Sequence, residues 1–172
     1  MEDLRAAQLP EAAGAPYFAV SLLKLSVMSI CTAGLYELYW FYKNWDLIRY
    51  RERSDIMPVA RGIFAFFFCY QCFSRIRATA TTHDLPTFPA GPLAAGWIVT
   101  TLLYKLPDPY WFVCYLAFLF ILPVQATANR INLIEEPGHD QNSHFSQWNV
   151  AAIIIGGILL VLAIIGTLLP GE

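Results

Sequence analysis

The chain has 172 residues, of which 57% are apolar and only 14% charged, and its net charge is −2. Soluble domains ordinarily carry about 25% charged residues, so the composition points to an all-α integral membrane bundle, one domain over 1–172 with room for four or five transmembrane segments. The charge gives no electrostatic reason to expect nucleic acid as a partner. The four cysteines all lie in apolar stretches, which argues against a secreted disulfide framework.

Residues 1–16 form an acidic, Ala/Pro-rich polar tail. A cleavable signal peptide would have a positive region before its apolar core, so the first apolar segment reads as a retained signal anchor. That segment, Tyr17–Tyr42, opens an aromatic-rich module (17–77) and is long enough to span with tilt. Lys24 is placed to snorkel along its four-carbon stem. Glu37 lies in the aromatic run Leu35–Tyr42, a composition that favours the bilayer interface. The step Thr32-Ala33-Gly34 is a point where the helix can bend or break. In Lys43–Arg53, Trp45, Ile48 and Glu52 recur at helical spacing among charges, which predicts a helical extension at the cytoplasmic interface.

Gly62–Ser74 is apolar but has only thirteen residues between Arg61 and Arg75, about 20 Å as a helix. It either spans with both arginines snorkelling or dips in and returns as a re-entrant segment. Thr79–Thr82, His83 and Pro86 read as a polar loop. A third segment begins near Pro92, a good first helical position, and ends at Lys105. The breaker Leu106–Pro109 then makes it the antiparallel partner of Tyr110–Ala128, a helical hairpin over 92–128. Asn129–Gln147 reads as a polar connection to the last transmembrane helix (148–169). There, Val150–Leu169 runs twenty residues without a charge, matching a hydrocarbon core of about 30 Å. Ala152 and Gly156 form a small-residue pair suited to close helix packing.

Basic residues weigh the alternatives for Gly62–Ser74. With five spans, Lys43, Arg49, Arg51, Arg53, Arg61 and Lys105 lie on one side, against Arg5, Arg75, Arg77 and Arg130. With a re-entrant segment, all but Arg5 and Lys105 gather on one side, leaving Lys24 in the first helix. The positive-inside rule favours the second arrangement, with the N-terminus outside. An external C-terminus fits four spans and an internal one fits five.

The run Thr32–Trp45 (TAGLYELYWFYKNW) is similar to a signature, T-x-G-[IL]-Y-x-[IL]-Y-W-F-Y-x-N, of an uncharacterised family of small multi-pass bacterial membrane proteins. In that family a basic stretch and an Arg-headed aromatic segment ending F-x-R-I follow, matched here by Arg61 and Phe73-Ser74-Arg75-Ile76. The resemblance covers about Leu22–Arg77. It implies a cytoplasmic-membrane location of bacterial type and carries no assigned activity.

Four constellations invite chemistry. Cys69-x-x-Cys72 has the spacing of a thiol–disulfide pair, but no second pair lies in a loop, and buried apolar filling explains both thiols. His139, His144 and the acids around them match no metal-ligand spacing. Gln125, Asn129, Asn132 and Glu136 fall on one helical stripe that should face other helices or a water-filled crevice. It is either interhelical hydrogen bonding or the wall of a polar pathway completed by Glu37 and Gln71. Glu37 with Arg61 or Arg75 forms a candidate intramembrane ion pair.

The sequence thus predicts a non-enzymatic membrane scaffold or accessory subunit that packs against lipid, a membrane-protein partner or its own copies. No cofactor, metal ligand or catalytic residue is indicated. A small transporter or channel component is the second reading, and a membrane thiol oxidoreductase the third.

Overall fold

A computed structural model describes residues 14–168, all of it helix, turn and loop with no strand among the described residues. Residues 1–13 of the polar tail and residue 169 of the last predicted span lie outside the described residues.

The predicted first span is two helices. Helix α1 (Leu22–Cys31) ends where Ala33 and Gly34 both take left-handed dihedrals, φ 50° and 84°. The Gly34 amide closes on Ser29 O and the Ala33 amide on Ile30 O, a Schellman ending. Only glycine adopts the second of these conformations without steric cost. The Thr32 hydroxyl donates to Met28 O and accepts from Tyr36 N, so it joins the end of one helix to the start of the next. Helix α2 (Leu35–Glu52) then runs back through the aromatic and basic stretches without interruption, so the expected interfacial extension is part of α2 itself.

This reversal replaces the single tilted span expected over Tyr17–Tyr42. Tyr17 lies beside Arg51, with its ring 5.5 Å from the guanidinium, and its hydroxyl bonds Thr79 of a later helix at 2.7 Å. The start of the described chain is therefore at the same end of the bundle as the basic residues, not across from them. The cause is local: the left-handed turn at Ala33-Gly34 folds α1 and α2 into a hairpin.

The next two helices also form a hairpin. Helix α3 (Pro58–Ile63) packs along α2, with Gly62 against the Tyr42 backbone, and breaks at Phe64. Helix α4 (Ala65–Thr82) continues past Arg75 and Arg77, so Thr79–Thr82 is helical and not a loop. Arg61 and Arg75 approach the Trp45 ring together, at 4.3 and 5.2 Å.

Helix α5 (Ala90–Leu102) and a 3₁₀ helix (Tyr110–Phe120) form the expected antiparallel pair. Phe120 lies against Gly96, where a Cβ would collide with its ring. Helix α6 (Leu122–Glu135) continues from the 3₁₀ helix, one turn and more beyond the expected end at Ala128. Helix α7 (Gln147–Leu168) packs chiefly on α1, with Gly156 directly against the Cys31 carbonyl and no room for a side chain between them. The Ala152/Gly156 pair thus serves a contact within the chain.

The core is aromatic. Phe41 packs between Trp97 (4.8 Å) and Phe73 (5.9 Å), and Trp40, Trp45 and Trp97 are all fully buried. Such rings bury large areas and fix their neighbours by edge-to-face contact. Lys24 departs from expectation. It is 4% exposed, and its ammonium donates to Asn142 Oδ1 and His144 O, both at 2.7 Å, so it is held by the loop before α7 and does not reach out to water.

Candidate functional site: an aromatic cavity around Glu37

Two polar groups of side chains lie inside the bundle, and they are built differently. The first uses the predicted stripe of α6. Between residue 14 and α1 the chain is extended, so the backbone polar groups of Tyr17–Val20 have no helical partners and must be satisfied by side chains. Asn132 does so at both ends of one residue: its Oδ1 accepts from Tyr17 N (3.0 Å) and its Nδ2 donates to Tyr17 O (2.9 Å). Gln125 Nε2 donates to Phe18 O (2.9 Å) and to Asn129 Oδ1 (2.7 Å), while Asn129 Nδ2 donates to Val20 O (2.9 Å). Gln125 Oε1 accepts from the Trp40 indole. From the opposite side, Asn44 Oδ1 accepts from Phe18 N and its Nδ2 donates to Trp40 O. Gln125, Asn132 and Asn44 are fully buried. The amides are occupied with backbone, and Gln71 lies apart from them on α4, bonded to Arg61.

The second group surrounds Glu37, near the turn between α1 and α2. A cavity of about 460 Å³ is walled by the α1–α2 turn, Phe66 of α4, Trp97 and Thr101 of α5, and Trp111, Cys114 and Tyr115 of the 3₁₀ helix. Glu37 is 4% exposed and lines this space. Its Oε2 accepts from the Trp97 indole N–H at 2.5 Å, and no other hydrogen bond to the carboxyl forms among the described residues. The buried Ser29 hydroxyl lies beside the carboxyl without reaching ordinary hydrogen-bond geometry.

The expected ion pair does not form. Arg75 pairs with Glu52 (2.7 Å), and Arg61 stacks on Trp45 and Phe68, so both guanidiniums are committed elsewhere. The three Arg–carboxylate pairs and the His83–Glu135 contact among the described residues all lie toward the opposite end of the bundle, and none includes Glu37. The reason is directional: Glu37 faces α5, whereas Arg61 and Arg75 meet the part of α2 two turns further on.

Cys69 and Cys72 sit on the core-facing side of α4, both buried and unpaired, with the Cys69 thiol donating to Phe66 O. His139 bonds its own turn at Glu136 O, and no group of three His, Cys, Asp or Glu side chains converges as a metal site among the described residues.

Sequence reasoning singled out Glu37 and the amide stripe but missed Trp97, Asn44 and the extended segment that the amides hold. Trp97 carries a buried indole N–H that needs an acceptor, which is a signal for a polar partner but not for which one. No family model, curated protein or solved structure matches this chain.

Proposed function

We propose that this chain is a multi-pass integral membrane protein of non-enzymatic type, a scaffold or accessory subunit. The observation that carries the reading is α7. Two segments, Tyr110–Glu135 and Gln147–Thr167, are long and apolar enough to cross a membrane, and the apolar window of the second is 0% buried. Ile154, Ile155, Ile158, Leu159 and Leu162 stand more than half exposed. A soluble chain does not leave so continuous an apolar face in water, and a helix that satisfies its own backbone bonds is what lipid admits.

In this reading α5, the 110–135 segment and α7 cross the bilayer, while α1 with α2 and α3 with α4 form hairpins that enter from one side and return to it. Arg49, Arg51, Arg53, Arg75, Arg77 and Arg130 belong to one end of the bundle and Lys105 to the other, so the first end faces the cytoplasm. The chain starts on that side and α7 carries it to the far side. The exposed face of α7 is the surface offered to lipid, a partner helix or a second copy.

Purification in mild detergent, with the mass and composition of the particle determined, tests the proposal. A stoichiometric second membrane protein is the result expected of an accessory subunit. Recovery of the chain in the soluble fraction, free of membranes, would overturn the membrane reading.

A further inference from the structure

We propose that the cavity around Glu37 is a binding site for an organic monocation with an apolar body, such as a lipophilic amine or a quaternary ammonium. The inference rests on the cavity and does not depend on how many helices cross the bilayer. Three features converge. The space, about 460 Å³, is in the range of small-molecule sites, and like them it is mostly apolar with few polar groups. Its walls carry Phe66, Trp97, Tyr104, Trp111 and Tyr115, and aromatic faces attract a desolvated cation through their quadrupoles. One acidic side chain lines it, 4% exposed and without an ion-pair partner among the described residues.

The carboxyl is oriented but not saturated. The Trp97 indole fixes Oε2 and leaves Oε1 without a hydrogen bond among the described residues. Glu37 itself lines the cavity. A carboxyl in an apolar environment either takes up a proton or is stabilised in its charged form by a compensating cation. The cavity wall supplies no such cation: Lys24 is bound to the loop before α7, and Lys105 holds its ammonium over the Tyr104 ring. An anion entering this space would face Glu37 with no Lys or Arg in the wall, whereas a cation supplies the charge that favours the ionised carboxyl.

Equilibrium dialysis of the full-length chain in detergent micelles, with benzyltrimethylammonium and the similarly sized anion phenylmethanesulfonate as probes, tests the site. Saturable binding of one cation per chain is expected, at least about tenfold tighter than the anion. Glu37→Gln keeps an acceptor for Trp97 and should weaken the cation by about tenfold or more. Cys114→Trp, which fills the cavity with Glu37 in place, should abolish binding and decides the matter if Glu37→Gln does not fold. Equal affinity for the two probes, unchanged cation binding in either variant, or no saturable cation binding by the parent chain would overturn the proposal.

Discussion

The two polar groups inside this bundle differ in what they leave undone. At the basic end, Asn44, Gln125, Asn129 and Asn132 grip the extended segment Tyr17–Val20, and their amide groups are bonded to backbone, to one another or to the Trp40 indole. At the other end, Glu37 has one donor and a cavity beside it. Buried polar groups stabilise a fold when every capacity is met. A buried carboxyl with capacity to spare is the arrangement that a ligand completes. The amide group is therefore a structural device, and the carboxyl is the candidate functional one.

The contrast predicts unequal costs. Gln125→Ala should have the largest effect: it strips the acceptor from the Trp40 indole and the donor from Phe18 O in a dry interior, at about 1–3 kcal/mol for each group left unpaired. A large fall in the thermal unfolding midpoint in detergent is expected, and Asn132→Ala should behave alike. A midpoint within a degree or two of the parent would show that the amides do not hold the segment. Gly156→Val should come next, because its side chain must displace α7 from the Cys31 carbonyl. The loss is expected in the α1–α7 contact, with cation binding at Glu37 retained.

Glu37→Gln should change stability by less than about 1 kcal/mol, since a carboxamide oxygen still accepts from Trp97. Membrane levels should therefore hold, and a collapse would mean that the charge itself is structural. Arg51→Ala should have the smallest effect: its pair with Glu135 is about one-third exposed, and such pairs contribute about 0–1 kcal/mol. For sidedness, a reporter inserted at Asp55 should be cytoplasmic and one fused after Leu168 external. Both on one side would overturn the assignment of ends.

Much of the helix content was legible because it depends on local pattern. The uncharged run of α7, the breaker Leu106–Pro109 and the helical spacing in Lys43–Arg53 each mark an element or its end without reference to the rest of the chain. Element ends were less so: α4 and α6 extend past the arginine and asparagine that seemed to close them, because helix continues wherever packing supplies partners for polar residues. The stripe Gln125/Asn129/Asn132 showed that amides share a face, but not that an extended strand of chain would lie against it.

The amino-acid order by itself determined an apolar, helical chain with a weak point at Thr32-Ala33-Gly34, since hydropathy, periodicity and glycine's freedom are properties of neighbouring residues. Only the tertiary structure decided that this weak point reverses the chain, that Glu37 meets Trp97 and neither arginine, and that the Ala152/Gly156 pair is used against α1. Those outcomes depend on which helix faces which across 60 or more residues of chain, and a contact at such separation is set by the packing of every element between its ends.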